Sequence, residues 1–311
     1  MYNRAEMALK DLLKESPQAL EPKIELAALR VEQQRFADTQ AILDQVNRPG
    51  QNHPKTVRVA ADLYLAQNKP SAAIDLINSE MKRNPSTEMR AVLADTAFRS
   101  RQWPIAIAQY QQLAGEEKSS AARYLFNQGN AYLQSGKPDA AVAPLREAVQ
   151  RSPDDPSYSM TLALALQQCG NRAEAKQLYE RVLKTTSNQP FVMNNLAYLL
   201  VEEGGDLDTA VQLAEGAYRQ LAGDARIADT LGMVYLKKGM MEPALNIYRN
   251  ILEREPGNSV YRYHYARVLA QNRSTSQQAI TELETALQSN PATGDAREIR
   301  EFLSTVRGGR R

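Results

Sequence analysis

The chain has 311 residues, 38 Lys and Arg against 36 Asp and Glu, and a hydrophobic content of 43%. A net charge of +2 gives no electrostatic footprint for nucleic acid or an anionic membrane surface. The longest apolar run, Leu196 to Val201, falls far short of the roughly 18 residues of a membrane span, and the single cysteine, Cys169, excludes an intrachain disulfide framework.

The first stretch, MYNRAEMALKDLLKESP, is amphipathic and helical. It lacks the apolar centre and small-residue cleavage site of a secretory signal. Its Ala5, Leu9, Leu12 and Pro17 have the spacing of Ala141, Leu145, Ala148 and Pro153. That spacing predicts the second helix of a repeat whose first helix lies outside the chain, over residues 1–19. Its apolar face is expected to be only partly covered, with the fastest amide exchange in the protein.

From residue 20 a two-helix unit recurs. Its clearest copy is LFNQGNAYLQSGKPDAAVAPLREAVQRSP, Leu125 to Pro153. Gly136 ends the first helix, Pro138 opens the second, and Ala141, Leu145 and Ala148 stripe it. A shift of 34 residues carries Gly136 to Gly170, Ala141 to Ala175, Leu145 to Tyr179 and Ala148 to Val182. Eight such units fit residues 20–292, and self-similarity at this period marks stacked helical hairpins. Pro70, Pro104, Pro138 and Pro243 fall in first turns of second helices, where a missing N–H does no harm. Pro144 falls inside one, where a kink is expected. Longer turns are predicted at Arg48 to Pro54, Gly115 to Ser120 and Asn272 to Gln277. The polar helix DAREIREFLSTV is predicted to cap the array through Ile299, Leu303 and Val306, before a fraying tail; this last part spans residues 293–311.

The segments LFNQGNAYLQSGKPDAAVAPLREAVQRSP and TLGMVYLKKGMMEPALNIYRNILEREP resemble the tetratricopeptide repeat (TPR) family, and the recurrence extends the likeness over nearly the whole chain. The resemblance implies an all-α, right-handed superhelical solenoid. NNLAYLLVEEGGDLDTAVQLAEGAY followed by ADTLGMVYLKKG is also similar to bacterial TPR proteins of exopolysaccharide and protein-sorting systems.

The family binds partners along first helices that line a concave groove. Carried over, those positions are Arg123, Phe126, Asn130 and Leu133; Met160 and Leu164; Phe191, Asn194 and Tyr198; Arg226, Asp229 and Met233; and Tyr263 and Arg267. In the first three repeats they include Ile24, Val31, Arg58, Asp62, Leu65, Asp95, Phe98 and Arg99. Aromatics and methionines with a few arginines suit a protein or peptide ligand. The lysine-rich clamp with which some TPR domains hold a C-terminal carboxylate is broken. Asn195 and Arg226 match it, but Met160, Leu164 and Phe126 stand where it needs polar or basic residues.

No catalytic, metal or cofactor motif occurs. His53 and His264 lie far apart, Cys169 has no histidine beside it in sequence, and Gly204-Gly205-Asp206 and Asp154-Asp155 read as turns and caps. The expected function is a non-enzymatic scaffold without cofactor or metal. The second reading is a structural spacer or self-associating module of a larger bacterial secretion or polysaccharide-export protein. A soluble chain of cytoplasmic or periplasmic location is expected.

Overall fold

A computed structural model describes residues 2–47, 52–186 and 188–309. Most of the turn expected at Arg48 to Pro54, and the last two residues of the fraying tail, lie outside them. Among the described residues there are 18 α-helices and no strand. After α1 (Tyr2–Glu15), α2 (Leu20–Glu32) pairs with α3 (Phe36–Val46), α4 (Pro54–Ala66) with α5 (Pro70–Arg83), and α6 (Thr87–Arg99) with α7 (Trp103–Glu116). α8 (Ala121–Gln134) pairs with α9 (Pro138–Arg151), and α10 (Pro156–Gln168) precedes α11 (Arg172–Thr185). Then come α12 (Pro190–Glu202) with α13 (Leu207–Gln220), α14 (Ala225–Lys238) with α15 (Met241–Arg254), α16 (Ser259–Leu269) with α17 (Ser276–Gln288), and α18 (Thr293–Gly308). The chain forms two compact units, Met1–Cys169 and Gly170–Arg311.

Hairpins within a unit close on small residues. The second helices carry Ala73, Ala106, Ala141, Ala175, Ala210, Ala244 and Ala279 at one register position, all fully buried. In the first hairpin Thr39 takes that place, and its buried hydroxyl donates to Arg35 O at 3.0 Å. The first helices carry Ala27, Ala61, Ala94, Gly129, Ala163, Ala197, Gly232 and Ala266 at a register position of their own. The closest approaches are at glycines. A Cβ on Gly129 would lie 2.4 Å from Leu145 Cγ, and one on Gly232 2.6 Å from the Tyr248 ring. Tyr248 and Tyr179 are fully buried, and a large apolar side chain so placed contributes roughly 1.5–3 kcal/mol.

The hairpin turns share one backbone feature. A residue with positive φ ends the first helix at Gln34, Asn68, Arg101, Gly136, Gly170, Gly204 and Gly239. The left-handed conformation turns the chain back toward its second helix. Only the four glycines announced it in the sequence. The eighth hairpin turns instead through a short 3-10 segment, Arg273–Thr275, where Asn272 Oδ1 accepts from Ser274 N at 3.0 Å. Helix α7 runs through Gly115, so the loop expected there shortens to the 3-10 turn Lys118–Ser120. Helix α9 continues past Pro144 to Arg151.

The ends differ. Helix α18 buries Ala296, Ile299 and Leu303, while Val306 is half-buried. Helix α1 leaves Ala5 and Leu12 exposed and Leu9 half-covered. It is held by Glu6, whose Oε1 and Oε2 accept from Arg30 Nη2 and Nη1 at 2.7 and 2.6 Å. Arg30 is buried, and its two hydrogen bonds, aided by Lys10, keep the Glu6 carboxyl well below the usual carboxylate range.

Two outcomes follow from this packing. Gly232→Ala forces a methyl into the Tyr248 ring and is expected to destabilise its unit by about 1–3 kcal/mol. Gly257→Ala, with no atom within 4 Å of the new methyl, is the matched control, expected within about 0.5 kcal/mol of wild type in urea titrations. The Glu6–Arg30 pair makes α1 docking acid-sensitive. A carboxyl with a depressed folded pKa adds stability above its unfolded value, about 4.3, and loses it as pH falls toward the folded value. Protection factors in α1 are expected to be the lowest of any helix at neutral pH and to drop further below about pH 4. In Glu6→Gln they should already be low at pH 7. Protection in α1 equal to that of α8, or unmoved by the substitution, contradicts this account.

Candidate interaction surface

Residues at i, i+3 and i+7 share one helix face. In the Met1–Cys169 unit, α8 presents Arg123, Phe126, Asn130 and Leu133. Arg123 is exposed, and the other three are half-buried. Phe126 stacks on Tyr158 with ring centroids 4.6 Å apart. The Arg123 guanidinium lies over the Tyr124 ring, and its Nη2 donates to Tyr124 Oη at 3.0 Å. Met160 and Leu164 on α10 are half-buried.

On α2, α4 and α6 the same face is a ladder of opposite charges. Lys55 pairs with Glu21 at 3.0 Å, Arg58 with Asp95 at 3.1 Å, and Arg99 with Asp62. Tyr110 Oη donates to Asp95 Oδ1 at 2.9 Å, and burial beside this carboxylate raises the Tyr110 pKa strongly. Arg58, Asp62, Asp95 and Arg99, read from the sequence as binding positions, therefore engage one another. The signal was present as opposite charges 37 residues apart. An open cavity of about 650 Å3 among α4, α6 and α8 has both signs on its walls, through Arg58, Glu88, Glu117 and Arg123.

In the Gly170–Arg311 unit, Phe191 on α12 is 45% exposed. The Arg226 guanidinium of α14 stands 5.8 Å from its ring centroid. Asp224 fixes Arg226, accepting from Nε at 3.1 Å and from Nη2 at 2.7 Å. These bonds lower the Asp224 pKa and raise that of Arg226. Asn194, Tyr198 and Met233 are half-buried. Asp229 lies 2.6 Å from His264 Nδ1, so the histidine joins α14 to α16.

Tyr263 departs from the expected open position. Its ring is buried edge-on to Phe302 of α18, and its hydroxyl donates to Glu298 Oε1 at 3.0 Å. Helix α18 covers it, and Arg267, half-buried, lies over its ring.

The remaining polar features are local. His53 caps α4, accepting from Lys55 N at 3.3 Å, and Asp155 and Asp206 cap α10 and α13. Burial, then a hydrogen bond with Asp139, pushes the Cys169 thiol up, opposite to the shift an activated nucleophile needs. Among the described residues no three His, Cys, Asp or Glu side chains gather closely enough to hold a metal ion, and no helix is long and apolar enough to cross a membrane.

Comparison with known proteins agrees with this architecture. Family models described as tetratricopeptide repeat match residues 91–156, 132–192 and 225–258. Tetratricopeptide repeat protein 21B of Xenopus laevis is 24% identical over 252 residues, covering 75% of this chain. The chain spans 19% of that protein's length. A tetratricopeptide repeat protein from Parabacteroides merdae has a similar fold, with a TM-score of 0.63 at 14% identity over 81% of this chain and 98% of that one. PilF of Pseudomonas aeruginosa superposes with a TM-score of 0.56 at 21% identity, over 70% of this chain and 97% of its own. With helical hairpins recurring in both units and three matches to one family, the matched stretches, residues 91–156, 132–192 and 225–258, are tetratricopeptide repeats.

Proposed function

We propose that the chain is a non-enzymatic scaffold that holds an extended or helical segment of another protein against its first-helix faces. The observation that carries this reading is the incomplete burial of Phe126, Met160, Phe191, Tyr198 and Met233. Large apolar side chains at first-helix positions of each unit and left in contact with water are what an interaction surface offers. The repeats of residues 20–292 would supply the surface, with the helices of residues 1–19 and 293–311 at its ends.

A spacer or oligomerisation role, as in a bacterial secretion or polysaccharide-export assembly, is the second reading. It is favoured by the exposed apolar residues of α1, where Met7 is 66% and Leu12 51% exposed.

The test is affinity capture from the source cell's lysate with the wild type beside a folded Phe126→Ala, Phe191→Ala, Tyr198→Ala variant, followed by sedimentation of both. A partner held by the wild type and weakened at least about tenfold by the variant supports the scaffold. Equal capture moves binding off the first-helix faces. Self-association that is lost on Met7→Lys, Leu12→Lys, with no captured partner, favours the spacer.

A further inference from the structure

We propose that the selective part of this surface is the shelf of Phe191, Arg226 and Asn194 in the Gly170–Arg311 unit, and that it takes an extended, uncharged peptide segment bearing an aromatic or aliphatic anchor. This deepens the scaffold reading and rests on it.

Three observations converge on the shelf. Among the described residues Phe191 is the one aromatic side chain classed as exposed. Arg226 lies over that ring, yet its charge is already met by both Asp224 oxygens. It therefore presents a fixed planar face rather than a free cation, and a flat apolar group stacks on such a face. Further along, His264 engages Asp229, and Arg267 rests on the ring of Tyr263. With Arg226 held by Asp224 and Asp229 held by His264, a partner seeking these side chains would have to displace internal contacts, whereas an uncharged one would not.

Asn194 supplies the polar element. It lies one helical turn beyond Phe191. Its Nδ2 donates to Asn195 Oδ1 at 3.3 Å, while its own Oδ1 is buried with no hydrogen-bond partner. A buried acceptor without a donor is unfavourable and rare in folded proteins. The residue itself is half-buried at the surface, and the terminal amide torsion of asparagine is soft. A small rotation lets Oδ1 accept from the main-chain N–H of a segment lying on the shelf. An extended segment suits this arrangement because it projects alternate side chains while leaving N–H groups free to donate.

The experiment selects a phage-displayed library of random peptides on the intact chain. Enriched peptides are then measured by fluorescence anisotropy at low and high salt. Sequences with a Trp, Phe or Leu anchor and little net charge are expected, with affinity nearly unchanged by salt and lowered at least about tenfold by Phe191→Ala. N-methylation at one peptide position should cost about tenfold against the wild type and nothing against Asn194→Leu, a change that removes the acceptor. Enrichment of acidic or basic peptides, strong salt dependence, or N-methylation effects indifferent to Asn194 overturn the proposal. If Phe126→Ala abolishes binding and Phe191→Ala does not, the scaffold reading stands and the shelf fails. If neither substitution matters, or no peptide is enriched over bare support, both fail.

Discussion

The contact on which the rest depends is the closure of each helical hairpin over a small residue. At Gly129 and Gly232 the first helix comes so near its partner that a methyl group would overlap Leu145 or Tyr248. That closeness lets one large side chain fill the space between two helices. It also makes each hairpin a slab with an inner apolar face and a free first-helix face. The alanines from Ala73 to Ala279 do the same on the second helices, all with no exposed surface. Hairpins that close in this way let a chain grow by addition, with a core that is thin and repetitive rather than central.

The free face then divides by chemistry. Across α2, α4 and α6 successive helices meet through opposite charges, Glu21 with Lys55, Arg58 with Asp95, and Asp62 with Arg99. Exposed pairs of this kind add little stability, typically below about 1 kcal/mol each. Their effect is to occupy side chains that would otherwise seek a partner. Across α12 and α14 the same face carries Phe191, Tyr198 and Met233, with Arg226 held by Asp224. The first-helix faces therefore differ in chemistry between the Met1–Cys169 unit and the Gly170–Arg311 unit.

The two ends handle their last apolar faces differently. Helix α18 lays Ile299 and Leu303 on the preceding hairpin and receives the hydroxyl of Tyr263 through Glu298. Helix α1 relies on one buried arginine and leaves Met7 and Leu12 in water. A polar bond anchors where apolar burial is incomplete, which makes that helix responsive to pH in a way the interior hairpins are not.

By itself the sequence determined the helical class and the 34-residue period. These are local: glycine, proline and alanine at fixed spacing state where helices end, turn and touch. It marked four of the seven left-handed turn residues, because Gly136, Gly170, Gly204 and Gly239 announce the conformation that Gln34, Asn68 and Arg101 adopt without announcing it. Only the tertiary structure decided which surface residues stay open. Tyr263 and Phe191 read alike as aromatics at groove positions, yet one is covered by α18 and the other faces water. Likewise Arg58 and Arg226 read alike as arginines at groove positions, while one finds its carboxylate 37 residues away and the other two residues away. Period and turn are written in neighbouring residues. Exposure and charge pairing depend on what the next hairpin brings alongside.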